Sequence, residues 1–443
     1  MTKQSEWCRS ILLTIALLLL ATVVSAQEEV GGLYGTVTDS NGEALPGVSV
    51  NLDGMGAGKT QITDIQGKYR FLGLDPGAYS LKAALDGFST VEYPRLDLRA
   101  GRNTTVEIQL TPAIGEVITV TSETPLLDER KIAQGSILTQ VDLEAIPTAR
   151  DPWAVLNQAP GVLVDRVNVG GNESAQMSIF VAPGAEAKDN HYLIDGVEIT
   201  DLMFGQAPTY FDFDQFSQFE LSTGGGEITK LTAGVSINMV TKRGTNEFRG
   251  SARYVVADAD GYLGVLKQGE PTLDPGELGE GQDEAITGNR INRNQEYGFE
   301  AGGPALRNRL WLWGSWGNTI TNTFAANGLP EEFALENVAV KLNAQITAAN
   351  SLVASWTTGN KTSDARGAGP TRRPEATWRQ RGPTDIMKIE DTHMFGSSLF
   401  VSGSWGRVGG GFQLMGRGGP GPEDPEPLFD SDGVLKQNIW SFR

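Results

Sequence analysis

The chain has 443 residues, 39% of them hydrophobic, enough for two to four domains with cores of their own. Its formal net charge of -18 leaves no basic footprint to offset phosphate charge, which excludes nucleic acid as a partner. The single cysteine, Cys8, excludes internal disulfides and lies in a segment that its neighbours mark for removal.

Lys3 and Arg9 precede an apolar stretch from Ile11 to Val24, followed by Ser25 and Ala26. A basic flank, a short apolar core and small residues describe an export signal over residues 1-26, cut before Gln27. The stretch is shorter than the ~20 residues a spanning helix needs. The mature chain would then carry no thiol, and neither thiolate catalysis nor a cysteine-ligated metal is open to it.

Residues 27-113 read as short strands between turn signals. Asp39-Ser40-Asn41-Gly42, Pro46-Gly47, Gln66-Gly67, Pro76-Gly77 and Asp86-Gly87 supply the backbone angles that turns demand. Alternating runs such as Val48 to Leu52 and Tyr69 to Leu72 lie between them, and the pattern predicts a small all-β sandwich. The spaced positions Gly35 to Asp39, Leu45 to Val48, Thr63-Asp64, Gly67 to Phe71, Leu74 to Tyr79 and Gly87-Phe88 resemble the carboxypeptidase regulatory-like, transthyretin-like domain. That resemblance implies a non-catalytic module.

Residues 114-246 have a mixed α/β texture. Asp151-Pro152-Trp153 opens a helix, with Asp as N-cap and Pro at the first helical position, and Pro160-Gly161 stops it. Ile194-Asp195-Gly196-Val197 carries the Asp-Gly signal of a tight hairpin. From Gly234 to Thr241, Val235, Ile237 and Met239 alternate with Ser236, Asn238 and Val240, which predicts a strand.

Residues 247-443 change again, to segments of roughly ten residues that alternate in polarity. Val338, Val340, Leu342, Ala344 and Ile346 alternate with Ala339, Lys341, Asn343 and Gln345. Leu352, Ala354 and Trp356 continue the pattern after a short turn at Ala349 to Ser351, and Leu399, Val401 and Trp405 oppose Ser402 and Ser404. Long polar insertions, Gln268 to Asn294 and Gly416 to Gly433, separate strands. Strands of this length with short turns on one side and long acidic loops on the other predict an antiparallel transmembrane β-barrel, in which Trp311, Trp313 and Trp316 suit aromatic girdles. The stretch has room for eight or nine strands, against the ~22 that a plugged barrel needs, so the sequence is expected to be the front portion of a longer protein.

Several independent places resemble TonB-dependent outer-membrane receptors of the Oar-like branch. Leu143 to Pro147, Leu156 to Val162, Tyr192 to Val197, Thr223 to Gly225 and Gly234 to Lys242 resemble the family's plug, with Gly244 to Phe248 leading into its barrel. Gly298 to Pro304 and Leu310 to Ser315 resemble its first barrel hairpins. Glu116, Val117, Ile118, Thr119, Val120 and Thr121 resemble the TonB box, which pairs with TonB by strand addition. The chain departs from the family at Ile179-Phe180-Val181 and Leu221 to Gly224, which weakens a siderophore assignment more than membership.

The resemblance implies an outer-membrane location with a periplasmic front domain, contact with outer-membrane lipid, and energy-coupled uptake of an unidentified solute. It implies TonB, with ExbB and ExbD, as partner. The other function it leaves open is a non-transporting surface adhesion, structural or carbohydrate-binding protein of Oar-like type. His191, Asp195, Asp212 and Asp214 are the candidates for lining a ligand path through the plug.

No enzyme is expected, and no catalytic, cofactor or metal site. Gly54 to Thr60 imitates a phosphate-binding loop, but Asp53 stands where the first glycine is required. Gln61 to Phe71 then reads as strand and turn, not as the helix whose N-terminus would hold phosphate. His191, near Asp189 and Asp195, has neither a nucleophile nor a third ligand in the sequence around it. Asp258 to Gly261 and Glu423 to Glu426 lack calcium-loop spacing.

Overall fold

Strands account for most of the described backbone, and they gather into three groups that follow one another along the chain. In this computed structural model, the residues described are 30-54, 58-99, 102-112, 117-119, 134-145, 152-159, 161-164, 179-182, 184-201, 210-224, 234-258, 290-324, 330-368, 372, 376-395, 399-411 and 413-417. The expected export signal, Glu116, Val120, Thr121, Asp151, and the acidic stretches around Asp260 and Glu423 lie outside them.

The front unit consists of two sheets around one apolar core. In the first, Gly31–Thr38 pairs antiparallel with Lys68–Leu74 and parallel with Asn103–Thr105 and Ile108–Gln109. The second runs Lys59–Ile62, Ser49–Asp53, Gly77–Ala84, Thr90–Leu98 and Val117–Thr119. The period-2 alternation turns Val50, Leu52, Leu81, Ala83 and Val91 inward to meet Leu33, Val37, Phe71 and Leu74 of the first sheet. Each Val, Leu or Phe so buried contributes about 1.5–3 kcal/mol. The turns sit where the sequence marks them. At Gly67, φ is 72°, and a Cβ there would meet the Val37 carbonyl oxygen at 2.5 Å, so only glycine fits.

The middle unit is built on a mixed sheet ordered Gln134–Thr139, Phe216–Gly224, Ser236–Thr241, His191–Ile194, Val197–Glu198. His191–Ile194 runs parallel to Ser236–Thr241, and the other pairings are antiparallel. The Asp-Gly hairpin forms as its residues indicate. Asp195 (φ 47°) and Gly196 (φ 72°) both take positive φ, and Ile194 pairs with Val197. The strand expected from Gly234 onward is Ser236–Thr241, and it is buried on both faces. Helix Gln140–Ala145 starts after Thr139, whose amide and hydroxyl both donate to Asp142 Oδ2 at 2.8 and 2.7 Å.

The helix expected after Asp151 is a 3-10 helix, Pro152–Gln158. With three residues per turn, Trp153, Leu156 and the following Ala159 share one face, and all three are buried in the core. Trp153 and Phe180 meet Tyr192 edge-on at 5.7 and 5.3 Å.

The third group is one long antiparallel sheet: Arg249–Asp258, Arg290–Leu306, Leu310–Phe324, Pro330–Thr347, Asn350–Arg366, Trp378–Phe395 and Leu399–Gly410. Gln413–Gly416 also pairs with Trp378–Phe395. Its strands reach 17 or 18 residues, longer than the ten expected from polarity, and Arg290–Leu306 begins inside the stretch that reads as a polar insertion. Backbone pairing continues past the point where the apolar pattern stops.

The two faces of this sheet are unlike. Along Pro330–Thr347, Phe333, Leu335, Asn337, Ala339, Lys341 and Asn343 are buried, while Val340 and Ile346 are exposed. Leu312, Trp356, Ile389, Val401 and Trp405 are exposed as well. The buried face, which covers the middle unit, carries Lys341, Lys361, Lys388 and Glu390 beside Phe333, Leu335 and Ile386; the open face carries the exposed apolar residues together with Glu336, Arg379, Arg381 and Asp391. Trp311 and Trp313 lie on the buried face, 2% and 5% exposed, and donate to Asn246 and Glu300, so the sequence reading of them as girdle residues is corrected. Trp316 is on the other side, against Tyr297 and Phe299.

Candidate functional site

Two places hold the residues singled out in the sequence: an edge of the front unit, and the seam between the middle unit and the long sheet.

At the edge, Val117–Thr119 runs parallel to Thr90–Leu98, with Thr90 opposite Val117, Val91 opposite Ile118 and Glu92 opposite Thr119. The segment assigned by sequence to the middle unit is therefore paired to the front one. Ile118 and Thr119 are exposed.

At the seam, the hairpin between His191–Ile194 and Val197–Glu198 pushes Asp195 against the long sheet, where its side chain is almost fully buried. Lys341 Nζ lies 3.0 Å from Asp195 Oδ1, and the Thr241 amide donates to the same oxygen at 2.8 Å. The Thr241 hydroxyl donates to Oδ2, and Lys388 Nζ donates to the Asp195 carbonyl while pairing with Glu390 at 2.6 Å. Burial alone would raise the Asp195 pKa, but Lys341, Lys388 and the two Thr241 hydrogen bonds outweigh it and hold the carboxyl below 3.8.

Asp212 and Asp214 converge on one guanidinium. Arg253 Nη2 is 2.6 Å from Asp212, Nη1 is 2.6 Å from Asp214, and Nε is 2.9 Å from Glu296. One cation faces three carboxylates. Burial pushes the Asp212 carboxyl above 3.8, Arg253 opposes that, and the neighbouring Asp214 charge adds to it. Tyr210, just before them, is fixed at both ends: its carbonyl accepts from Asn337 Nδ2 at 3.0 Å and its hydroxyl from Gln380 Nε2 at 3.3 Å. Lys361 Nζ stands 4.1 Å from the centre of its ring.

His191 is placed differently, since its Nε2 contacts Glu198 and its Nδ1 lies 3.5 Å from Ser236 Oγ, both within the middle unit. The structure thus brings Asp195, Asp212 and Asp214 to the long sheet, each against a base of that sheet.

Those bases, Lys341, Lys388 and Arg253, are residues that the sequence does not single out. Lys341 lies on the polar side of an alternation that forms as expected, and a lysine at that phase is the available signal.

The same end of the middle unit meets the front unit. Arg243, two residues past Ser236–Thr241, pairs with Asp75. Its guanidinium outweighs burial and lowers the Asp75 carboxyl. Lys242 Nζ pairs with Glu300 of the long sheet at 2.8 Å. A cavity of about 1070 Å³ lies where the three groups meet, lined among others by Asp75, Asp142, Arg243, Glu300 and Lys341.

Known proteins match these regions. The family described as the carboxypeptidase regulatory-like domain matches residues 32–111. The TonB-dependent transporter Oar of Myxococcus xanthus is 27% identical over 310 residues, 65% of this chain and 27% of the relative, so the chain spans little more than a quarter of that protein's length. Among solved structures, the siderophore receptor PirA from Acinetobacter baumannii superposes with a TM-score of 0.48 at 14% identity, over 70% of this chain and 43% of the receptor. The ferripyoverdine receptor of the outer membrane of Pseudomonas aeruginosa does so with 0.46 at 12%, over 75% and 45%.

Large apolar side chains such as Leu312, Val340, Trp356, Ile389 and Trp405 on the open face of the long sheet, with Lys341, Lys361 and Lys388 on its covered face, suit a sheet that meets lipid. By the sequence match with Oar and the domain matched at residues 32–111, the chain is similar to TonB-dependent outer-membrane transporters of Oar type.

Proposed function

We propose that the chain is the front portion of an energy-coupled transporter that moves a solute across the outer membrane. In this reading residues 27-113 are a periplasmic sandwich, 114-246 a coupling segment and plug, and 247-443 the first strands of a barrel that closes around the plug. TonB, driven with ExbB and ExbD, engages residues 116 to 121 from the periplasm.

The observation that carries the reading is the charged seam. Asp195 meets Lys341, and Asp212 and Asp214 meet Arg253, so the middle unit rests on the long sheet through these polar groups, with Ile386 of the sheet reaching into its apolar core. An apolar seam would cost about 25 cal/mol for every Å² exposed when the plug shifts. A polar one exchanges its hydrogen bonds for bonds to water at a net cost of about 0.5–1.5 kcal/mol each. Such a plug can be held firmly at rest and still be rearranged by pulling. Asp195, Asp212 and Asp214 are then positions along which a path opens.

Deleting residues 116 to 121 from the full-length protein is expected to abolish solute uptake by cells while leaving solute binding at the surface unchanged. Uptake at the parental rate would refute coupling through this segment.

A further inference from the structure

The cavity where the three groups meet has walls that pair most of their charges. Lys242 holds Glu300, Arg243 holds Asp75, Arg249 holds Glu247 and Arg95 holds Asp97. Arg99, which follows Thr90–Leu98 of the front unit and lines the same cavity, is in none of these pairs, and its Nε is buried without a hydrogen-bond partner. The long sheet adds Asn343, 3% exposed, whose Oδ1 is likewise buried and unpartnered. A guanidinium N–H and an amide oxygen left so on one cavity call for a ligand with an acceptor for the first and a donor for the second.

Lys341 links this cavity to the seam. It lies two residues before Asn343 on the same face of Pro330–Thr347 and lines the cavity. Its Nζ holds Asp195 Oδ1 at 3.0 Å and donates to Thr241 Oγ1 at 3.1 Å. Asp195 belongs to the hairpin of the middle unit, Lys341 to the sheet. A shift of the middle unit takes the carboxylate away and leaves the ammonium at the cavity wall. An uncompensated ammonium in so enclosed a place is costly, and an arriving anion removes the cost.

We propose that the cavity is a binding station for the transported solute, reached after the plug, and that this solute carries an acid group. The acid group takes the place of Asp195 at Lys341, Arg99 supplies a second positive charge, and Asn343 Oδ1 accepts from a hydroxyl or amide of the solute. The proposal rests on the transport reading and adds the solute's chemical class. Such an exchange selects for charge, because a neutral solute leaves Lys341 unpaired whereas an acid restores the pair. It also gives the front unit a part. Arg99 belongs to that unit, which the Asp75–Arg243 pair ties to the middle one, so the station is incomplete without it.

The test uses the full-length receptor purified in detergent micelles, carrying Val353→Cys, with any other cysteine of the mature chain replaced by serine. Val353 lines the cavity and stands opposite Asn343 in the ladder. The thiol is labelled with methyl methanethiosulfonate, an uncharged reagent, so that the rate reports occupancy of the cavity and not attraction of the reagent. Citrate and inorganic phosphate are the probes and sucrose the neutral control, all at one ionic strength. At ~10 mM, one or both anions are expected to slow labelling at least about threefold and sucrose to leave it unchanged. Slowing by citrate alone assigns a carboxylate, and by phosphate alone a phosphate ester. Arg99→Gln should reduce the protection to under about 1.5-fold, and Asp195→Asn, which releases Lys341, should strengthen it about threefold. Asp195→Ser serves if the asparagine variant does not assemble. Labelling that neither anion slows, protection undiminished by Arg99→Gln, protection unchanged when Asp195 is replaced, or a thiol that the reagent never reaches would each overturn the proposal. Failure of the transport reading looks different: deletion of residues 116 to 121 would leave uptake at the parental rate, while the anions still protect the thiol.

Discussion

The front unit and the long sheet are written in the same alternation and folded for opposite surroundings. In the front unit, Leu33, Val50, Phe71 and Leu81 point inward and the intervening polar residues meet water. In the long sheet, Val340, Trp356, Ile389 and Trp405 point outward, while Lys341, Lys361 and Lys388 are buried. Period 2 says that two faces differ; it does not say which one is inside. What decides is the neighbour. The two front sheets bury their apolar faces against each other, whereas the long sheet covers a middle unit that offers Asp195, Asp212, Asp214 and the Tyr210 carbonyl.

The sharpest way to break that contrast is to remove a base from the seam. Lys341→Met leaves the Asp195 carboxylate buried without its ammonium partner, and stranding one half of a buried pair costs about 3–5 kcal/mol. Adding Asp195→Asn should recover much of the loss, because no buried charge is then uncompensated. Denaturant unfolding of the parent, both single variants and the double variant checks this. Additive losses would mean that the two side chains do not interact.

A smaller effect separates the two kinds of exposed apolar residue. Val340 is 40% exposed on the long sheet and Ile62 is 68% exposed on the front unit. An arginine facing lipid near the membrane midplane costs about 2–4 kcal/mol, whereas a surface substitution in water stays within about 0.5 kcal/mol. Val340→Arg should therefore impair assembly into liposomes, scored by heat-modifiable migration on gels, and Ile62→Arg should not. Equal behaviour of the two would place the open face of the long sheet in water.

How much of this is legible in the sequence depends on range. The Asp195-Gly196 hairpin, the turns of the front unit and the alternation around Lys341 are local, and each forms as its residues indicate. Trp311 and Trp313 are easily placed on the wrong face because Leu310 and Leu312 make both faces of that strand apolar, and burial is settled only by partners such as Asn246 and Glu300. Polarity understates strand length because hydrogen bonding does not end where lipid does, as the polar start of Arg290–Leu306 demonstrates. The seam is out of reach for another reason: Lys388 is 193 residues from Asp195, and nothing local to either one names the other. The pairing of Val117–Thr119 with Thr90–Glu92 is equally hidden, since three β-competent residues fit any edge.

The finest distinction between the two regions is their response to acid. The buried titratable groups of the front core include Tyr69 and Tyr79, which burial pushes above their ordinary value of 10.0, so these two hold no charge to lose in acid. The seam is different. Asp212, raised above 3.8 by burial, binds its proton more tightly in the folded protein than in the unfolded chain. Its contribution to stability is therefore fully present below 3.8 and is lost as pH rises through the higher folded value. Asp195, lowered by Lys341 and Lys388 against its burial, has the opposite sign: its contribution is present above 3.8 and is lost only as pH falls through a still lower value. Between neutral pH and pH ~4, acidification should thus increase what Asp212 contributes to the stability of the folded state and leave the Asp195 pair intact. The difference in thermal midpoint between the parent and Asp212→Asn isolates the effect, because every other carboxylate is common to both. That difference should shift in favour of the parent as pH is lowered through this interval, and a gap that stays constant across it would mean that Asp212 is charged alike in the folded and unfolded chain.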